Sequence, residues 1–176
     1  YRPVWYSRSY APEFYAGLIA QVDADPQFEV LIGSGTNLHI VDGKTRETEG
    51  VIAVNTGEIR DVDAADLDGD GTMEIVVSGW YALSIYAVAT QALEQTFSNY
   101  RESSIAVGNV DAEPGLEIVV SMSYASVVLN AATRAIEWDA WFSFGGVQIG
   151  DVDQDSRYEI VGRFAWDGIA IFDADL

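Results

Sequence analysis

The chain has 176 residues and a formal charge of −19, from 28 acidic against nine basic side chains. That charge repels phosphate backbones and anionic lipid, so nucleic acid and membrane surfaces are not expected partners, and no apolar run approaches the roughly 18 residues of a membrane-spanning helix. With no cysteine there is neither a disulfide framework nor a thiolate metal site.

A chain of this size reads as one domain, residues 1–176. It opens on Tyr1 rather than Met, as a processed chain or one cut from something longer would. The first ten residues, "YRPVWYSRSY", stand in register with the later "TRAIEWDAWF" (133–142). An acidic loop follows, "QVDADPQFEVLI" (21–32), then strand patterns "LHIVD" (38–42) and "TRETEG" (45–50). The order returns three times. "DLDGDGTMEIVV" (66–77) precedes "LSIYA" (83–87) and "TQALEQTF" (90–97). "SSIAV" (103–107) and "NVDAEPGLEIVV" (109–120) precede "SVVLN" (126–130) and "TRAIEWDAWF". "GGVQI" (145–149) and "DVDQDSRYEIVG" (151–162) precede "GIAIF" (168–172). Four short strands in about 44 residues is the size of a propeller blade. The expected fold is all-β, a β-propeller of four blades. The last blade stops at Leu176, where the others enter their fourth strand. The N-terminal segment is expected to complete that blade, either in the same molecule or in a neighbouring subunit.

The loops at 21–29, 66–74, 109–117 and 151–159 share one skeleton. A small residue precedes each (Ala20, Ala65, Gly108, Gly150), and an aliphatic stands second (Val22, Leu67, Val110, Val152). Acids occupy the third and fifth positions: Asp23 and Asp25, Asp68 and Asp70, Asp111 and Glu113, Asp153 and Asp155. The ninth is always Glu29, Glu74, Glu117 or Glu159. Carboxylates at alternate positions of a tight loop converge on one centre. The seventh-position carbonyl (Gln27, Thr72, Gly115, Arg157) adds an oxygen. An all-oxygen shell of roughly 6–8 donors suits Ca²⁺, so up to four calcium ions are expected. Asp66 and Asp151 give their loops four carboxylates each, and Gly69 and Gly71 permit the sharp curl. Gln21 and Asn109 open the other two, which carry Pro26 and Pro114 and should bind more weakly. A solvated Asp-Gly turn is the plain alternative for one loop; four in phase favour the cation.

Between the second and third strands, Trp80, Tyr81, Tyr124 and Trp166 recur at equivalent places. They can stack on sugar rings or anchor a protein partner, or they can pack between blades. A second group, Trp138, Trp141, Phe142 and Phe144 with Trp5, Tyr6, Tyr10, Phe14 and Tyr15, is expected to glue blades or subunits together. His39 is the only histidine, so nucleophilic triads and histidine metal clusters have little support and no enzyme is expected.

At "AADLDGDGTMEIVVSG" (64–79) and "FGGVQIGDVDQDSRYEIVG" (144–162) the sequence resembles the FG-GAP (VCBS) repeat family, the calcium-loop blades of integrin α-subunit propellers. The resemblance extends over all four repeats. It implies a propeller holding Ca²⁺ at the loop positions named, and a secreted or cell-surface module of adhesion, ligand binding or scaffolding. Two features differ: Glu replaces the family's frequent ninth-position Asp, and four blades stand where about seven are usual. The function expected is a non-catalytic adhesive or structural binding module, with self-assembly by strand donation among its expected modes. A lectin using the loop aromatics, or part of a larger secreted enzyme or receptor, is the alternative.

Overall fold

Short runs of aliphatic and β-branched residues, punctuated by Gly, Asp and Asn, fold into fifteen strands, with no helix among the described residues. The computed structural model describes residues 3, 5–7, 9–10, 13–154, 158–164 and 168–173. Strands β1 (Phe14–Ala20), β2 (Glu29–Ser34), β3 (Asn37–Asp42) and β4 (Thr48–Ala53) form the first antiparallel sheet. Strands β5 (Ile59–Ala65), β6 (Glu74–Gly79), β7 (Leu83–Ala87) and β8 (Leu93–Phe97) form the second. The third comprises β9 (Ser104–Gly108), β10 (Glu117–Ser121), β11 (Ser126–Asn130) and β12 (Ile136–Ala140). The last has β13 (Val147–Gly150), β14 (Glu159–Phe164) and β15 (Gly168–Phe172). Each sheet is an up-and-down meander in sequence order, so these are the four blades of a propeller.

The inner strands lie side by side in series, β1 by β5, β5 by β9 and β9 by β13. The apolar core is accordingly three seams between blades. Leu31, Leu38, Ile40 and Ile52 of the first blade meet Ile59, Val62, Ile75 and Val77 of the second. Val76, Leu83 and Ile85 meet Ile105, Ile118, Val120 and Leu129. Ala106, Val119 and Val128 meet Phe144, Val147 and Ile160. Second strands are covered on both faces, which is why β6 and β10 are buried throughout and read as unbroken apolar runs. Fourth strands form the outer rim, and β8 is almost wholly exposed. Among the described residues, Ile19 and Val51 are exposed on the first blade and Ile169 and Ile171 on the last.

Two aspartates on β5 tie the second blade to the third. Asp61 accepts the N–H of Val62 at Oδ1 (3.0 Å) and that of Ile105 at Oδ2 (3.0 Å). Asp63 likewise takes Ala64 N–H (2.8 Å) and Val107 N–H (2.8 Å). At the next seam Ser104 Oγ accepts Val147 N–H (3.2 Å).

The N-terminal segment does not complete the last blade among the described residues. That sheet has three strands, and residues 3, 5–7, 9–10 and 13 carry none. Tyr10 lies against His39 on β3 (ring centroids 4.8 Å apart), and Trp5 lies under the Arg46 guanidinium at 5.9 Å. Both contacts are with the first blade, which exposes apolar side chains among the described residues, so the aromatics find cover there. The second aromatic group divides. Trp138, Phe142 and Phe144 join Phe172 in the third seam, whereas Trp141, Tyr6 and Phe14 are exposed. Gly162 makes that seam possible: a Cβ there would run into Phe144.

Candidate metal centres

All four acidic loops sit at one end of their blades, between first and second strands, and each is closed by the same device. The ninth-position glutamate begins the second strand and turns its side chain back into the loop. Its Oε2 accepts the N–H of the second loop residue: Glu29 from Val22 (2.8 Å), Glu74 from Leu67 (2.9 Å), Glu117 from Val110 (2.8 Å) and Glu159 from Val152 (2.6 Å). All four glutamates are buried. Burial pushes Glu29, Glu74 and Glu117 above the usual carboxylate range, against the pull of the accepted N–H. Glu117 reaches about 7, with Asp111 and Glu137 adding like-charge repulsion.

The second loop curls as its sequence predicts. Asp66 Oδ1 accepts the N–H of Gly69 (2.9 Å) and Asp70 (3.1 Å), and Oδ2 that of Gly71 (2.9 Å). Gly69 and Gly71 have φ of 76° and 89°, and a Cβ at either would meet nothing within 4 Å, so backbone conformation alone demands glycine there. Thr72 engages through its hydroxyl as well as its N–H, both donated to Asp70 Oδ1 (2.6 and 2.7 Å), which holds that carboxyl low. Carboxylate oxygens of Asp66, Asp68 and Asp70 lie within 4.8 Å of one another. Glu74 stands outside this group, on Leu67 N–H. In the fourth loop Asp151, Asp153 and Glu159 converge to the same degree. Asp155 and Arg157 lie outside the described residues.

The loops that open on an amide are built differently. Gln21 Nε2 donates to the carbonyls of Asp23 (3.0 Å) and Asp25 (2.5 Å), and Asn109 Nδ2 to that of Glu113 (3.0 Å). Each amide thereby bonds across its own loop, from the first position to carbonyls of the third or fifth. Asp23 and Asp25 instead accept the N–H groups of Asp25 and Gln27 (2.8 and 2.7 Å), and Asp111 that of Glu113. The carboxylate groupings move sideways, toward the outer hairpin: Asp23 with Glu29 and Glu49, Asp25 with Glu29 and Asp42, Asp111 with Glu117 and Glu137. Glu113 is in none of them, and Gly115 serves at φ 145°. Glu49 and Glu137 lie on the fourth strands β4 and β12, and sequence reasoning passed over them. Their signal was present: Glu49, Glu94 and Glu137 are in phase in "TRETE", "TQALE" and "TRAIE". In the second blade Glu94 is instead taken by Arg134, reaching back from the third blade (3.5 Å) out of a turn where its φ is 65°. Every donor in these groups is a carboxylate oxygen, a set that fits a hard cation such as Ca²⁺. One of them, Glu29 Oε1, is fully buried with no hydrogen-bond partner.

The aromatic positions lie at the opposite end of the blades, between second and third strands. Trp80 is exposed, its ring 4.5 Å from the Arg60 guanidinium, which also lies 4.8 Å from the Tyr15 ring. Arg60 thus links Trp80 of the second blade to Tyr15 of the first. Tyr81 and Tyr124 are 66% and 86% exposed. Trp80 borders a cleft of about 480 Å³ with Arg60, Asp61 and Glu102. Tyr124 borders another of about 280 Å³ with Asn99, Arg101 and the same Glu102. Trp166 lies outside the described residues.

No protein-family model matches this chain, and no curated protein matches it. Among solved structures it is similar to one described as a crystal structure of BBS1N in complex with ARL6DN, soaked with lead. Identity is 14% and the TM-score 0.65, over 95% of this chain and 59% of that one, so this chain spans under two thirds of its length. The likeness carries the propeller fold.

Proposed function

We propose that this chain is a calcium-stabilised propeller of the FG-GAP/VCBS kind, acting outside the cell as an adhesive or structural binding module without catalysis. The observation that supports this most directly is the fourfold loop, in which a buried glutamate holds the corner and three carboxylates crowd within 4.8 Å. Like charges at such a separation repel one another, and a divalent cation relieves that repulsion. The clustered acids are engaged in loop geometry, and His39 rests on the Tyr10 ring. The face opposite the loops offers Tyr81 and Tyr124 beside two clefts, and a protein partner is the occupant we favour. A protein similar in fold was crystallised in complex with another protein, which is in keeping with that use.

Thermal unfolding with 2 mM EGTA and with about 1 mM free Ca²⁺ tests the metal. A midpoint several degrees higher with Ca²⁺ is expected; equal midpoints would reduce the loops to acidic turns. Pull-down and glycan-array binding by the wild type and Tyr124→Ala separate a protein partner from a sugar. The apolar side chains exposed on the end blades favour a second property, association between copies of the chain. Each end blade matches the inner blades that pack against a neighbour, so the last blade of one copy fits the first blade of the next. Sedimentation should show oligomers that Ile169→Asp abolishes.

A further inference from the structure

In the first blade the loop's own amide excludes a cation from the centre. Gln21 Nε2 donates to the carbonyls of Asp23 and Asp25, so a cation held by those carbonyls would face its protons. Beside it, on the side of β4, carboxylate oxygens of Asp23, Glu29 and Glu49 come within 4.8 Å of one another. A crowded acidic group alone would be unremarkable, but the buried member of this one, Glu29, which also groups with Asp25 and Asp42, carries an unsatisfied oxygen. Glu29 is 0% exposed; its Oε2 takes Val22 N–H, while its Oε1 is buried with no hydrogen-bond partner. Leaving a carboxylate oxygen dry and unpaired carries a desolvation penalty, and a metal ion there would satisfy it.

We propose that the first blade holds a divalent hard cation, Ca²⁺ by its donor set, displaced from the loop centre to a site between Asp23, Glu29 and Glu49, with the fourth-strand glutamate as a ligand. The proposal rests on the calcium reading of the loops and changes which residues do the binding. The third blade has a similar grouping, in which Glu137 also accepts the Asn130 amide (3.0 Å). Asn109 fills its loop with an amide, and Asp111, Glu117 and Glu137 group in the equivalent places. The second blade is the converse. Asp66 opens its loop, the grouping stays inside it, and Glu94 is paired with Arg134. In the two blades whose loops open on an amide, the fourth-strand glutamate joins the loop's carboxylate grouping, whereas in the second blade it pairs with Arg134.

The test is Ca²⁺ binding to the whole chain by equilibrium dialysis and calorimetry, comparing wild type with Glu49→Gln, Glu137→Gln and Glu94→Gln. Glu49 is exposed, so its variant should fold, and metal-free unfolding midpoints check this. Expected is the loss of one bound ion, or at least a tenfold weakening at one site, in each of Glu49→Gln and Glu137→Gln, with Glu94→Gln unchanged. Undiminished binding in Glu49→Gln, with Asp23→Asn reducing it, would place the ion in the loop centre and overturn the displaced site alone. No Ca²⁺ bound by the wild type would overturn the calcium reading of the loops as well.

Discussion

Glu117 turns the stability of the metal-free protein against rising pH. Burial, opposed by the N–H of Val110 and helped by Asp111 and Glu137, lifts its carboxyl to about 7 from an ordinary 4.5. The folded chain therefore keeps a proton that the unfolded chain releases. That contribution is complete below pH 4.5 and is lost as pH rises through 7. The interval is worth at most about 3 kcal/mol, and less to the degree that water reaches the loop. Glu117→Gln keeps an oxygen for Val110 N–H and has no proton to lose. In urea unfolding without metal, the wild type should lose about 2 kcal/mol relative to Glu117→Gln between pH 5 and pH 8.5. Saturating Ca²⁺ should abolish the difference in slope, because the metal holds the carboxylate ionised and its own affinity rises with pH. Parallel curves for the two proteins in metal-free buffer would refute the reasoning.

Phe144→Ala removes a fully buried ring from the third seam and should cost about 3–5 kcal/mol in urea unfolding. Gly162→Ala drives a methyl against Phe144 Cβ and the adjoining ring atoms and should cost about 1–3 kcal/mol; Phe144→Ala keeps that Cβ, so a double-mutant cycle should show only partial relief. Asp63→Ala strips two N–H groups of their acceptor and should cost about 1–3 kcal/mol, with faster amide exchange at Val107 than at Val119. Arg60→Ala removes the guanidinium that contacts both Tyr15 and Trp80 and should cost about 1 kcal/mol, seen as a change in tryptophan emission.

The blades were legible because the repeat is strict. Glu29, Glu74, Glu117 and Glu159 mark where each second strand begins, and runs such as "EIVVS" are apolar because both faces are covered. The loops were legible for the same reason, down to Gly69 and Gly71. The work of the ninth glutamate was not, since a carboxylate that accepts a neighbouring N–H looks in sequence like one that waits for a metal. Glu49 and Glu137 were hidden by a polar outer strand, where an acid is ordinarily just solvated. Arg134 escaped because its contact crosses to another blade, and a repeat alignment compares equivalent places without showing which of them touch. Trp80 was legible as an aromatic at a blade end, but its link to Tyr15 of the first blade through Arg60 was not.

Asp61 and Asp63 have a consequence for how this molecule behaves among other chains. The innermost strand of any blade has a raw edge, a row of amides ready to recruit a foreign strand. Here four such amides, on Val62, Ala64, Ile105 and Val107, are already engaged by two carboxylates. A strand arriving from another molecule would find no donors free at those positions and two negative charges in its way. Two side chains thereby make the middle of the protein a poor template for amyloid-like growth.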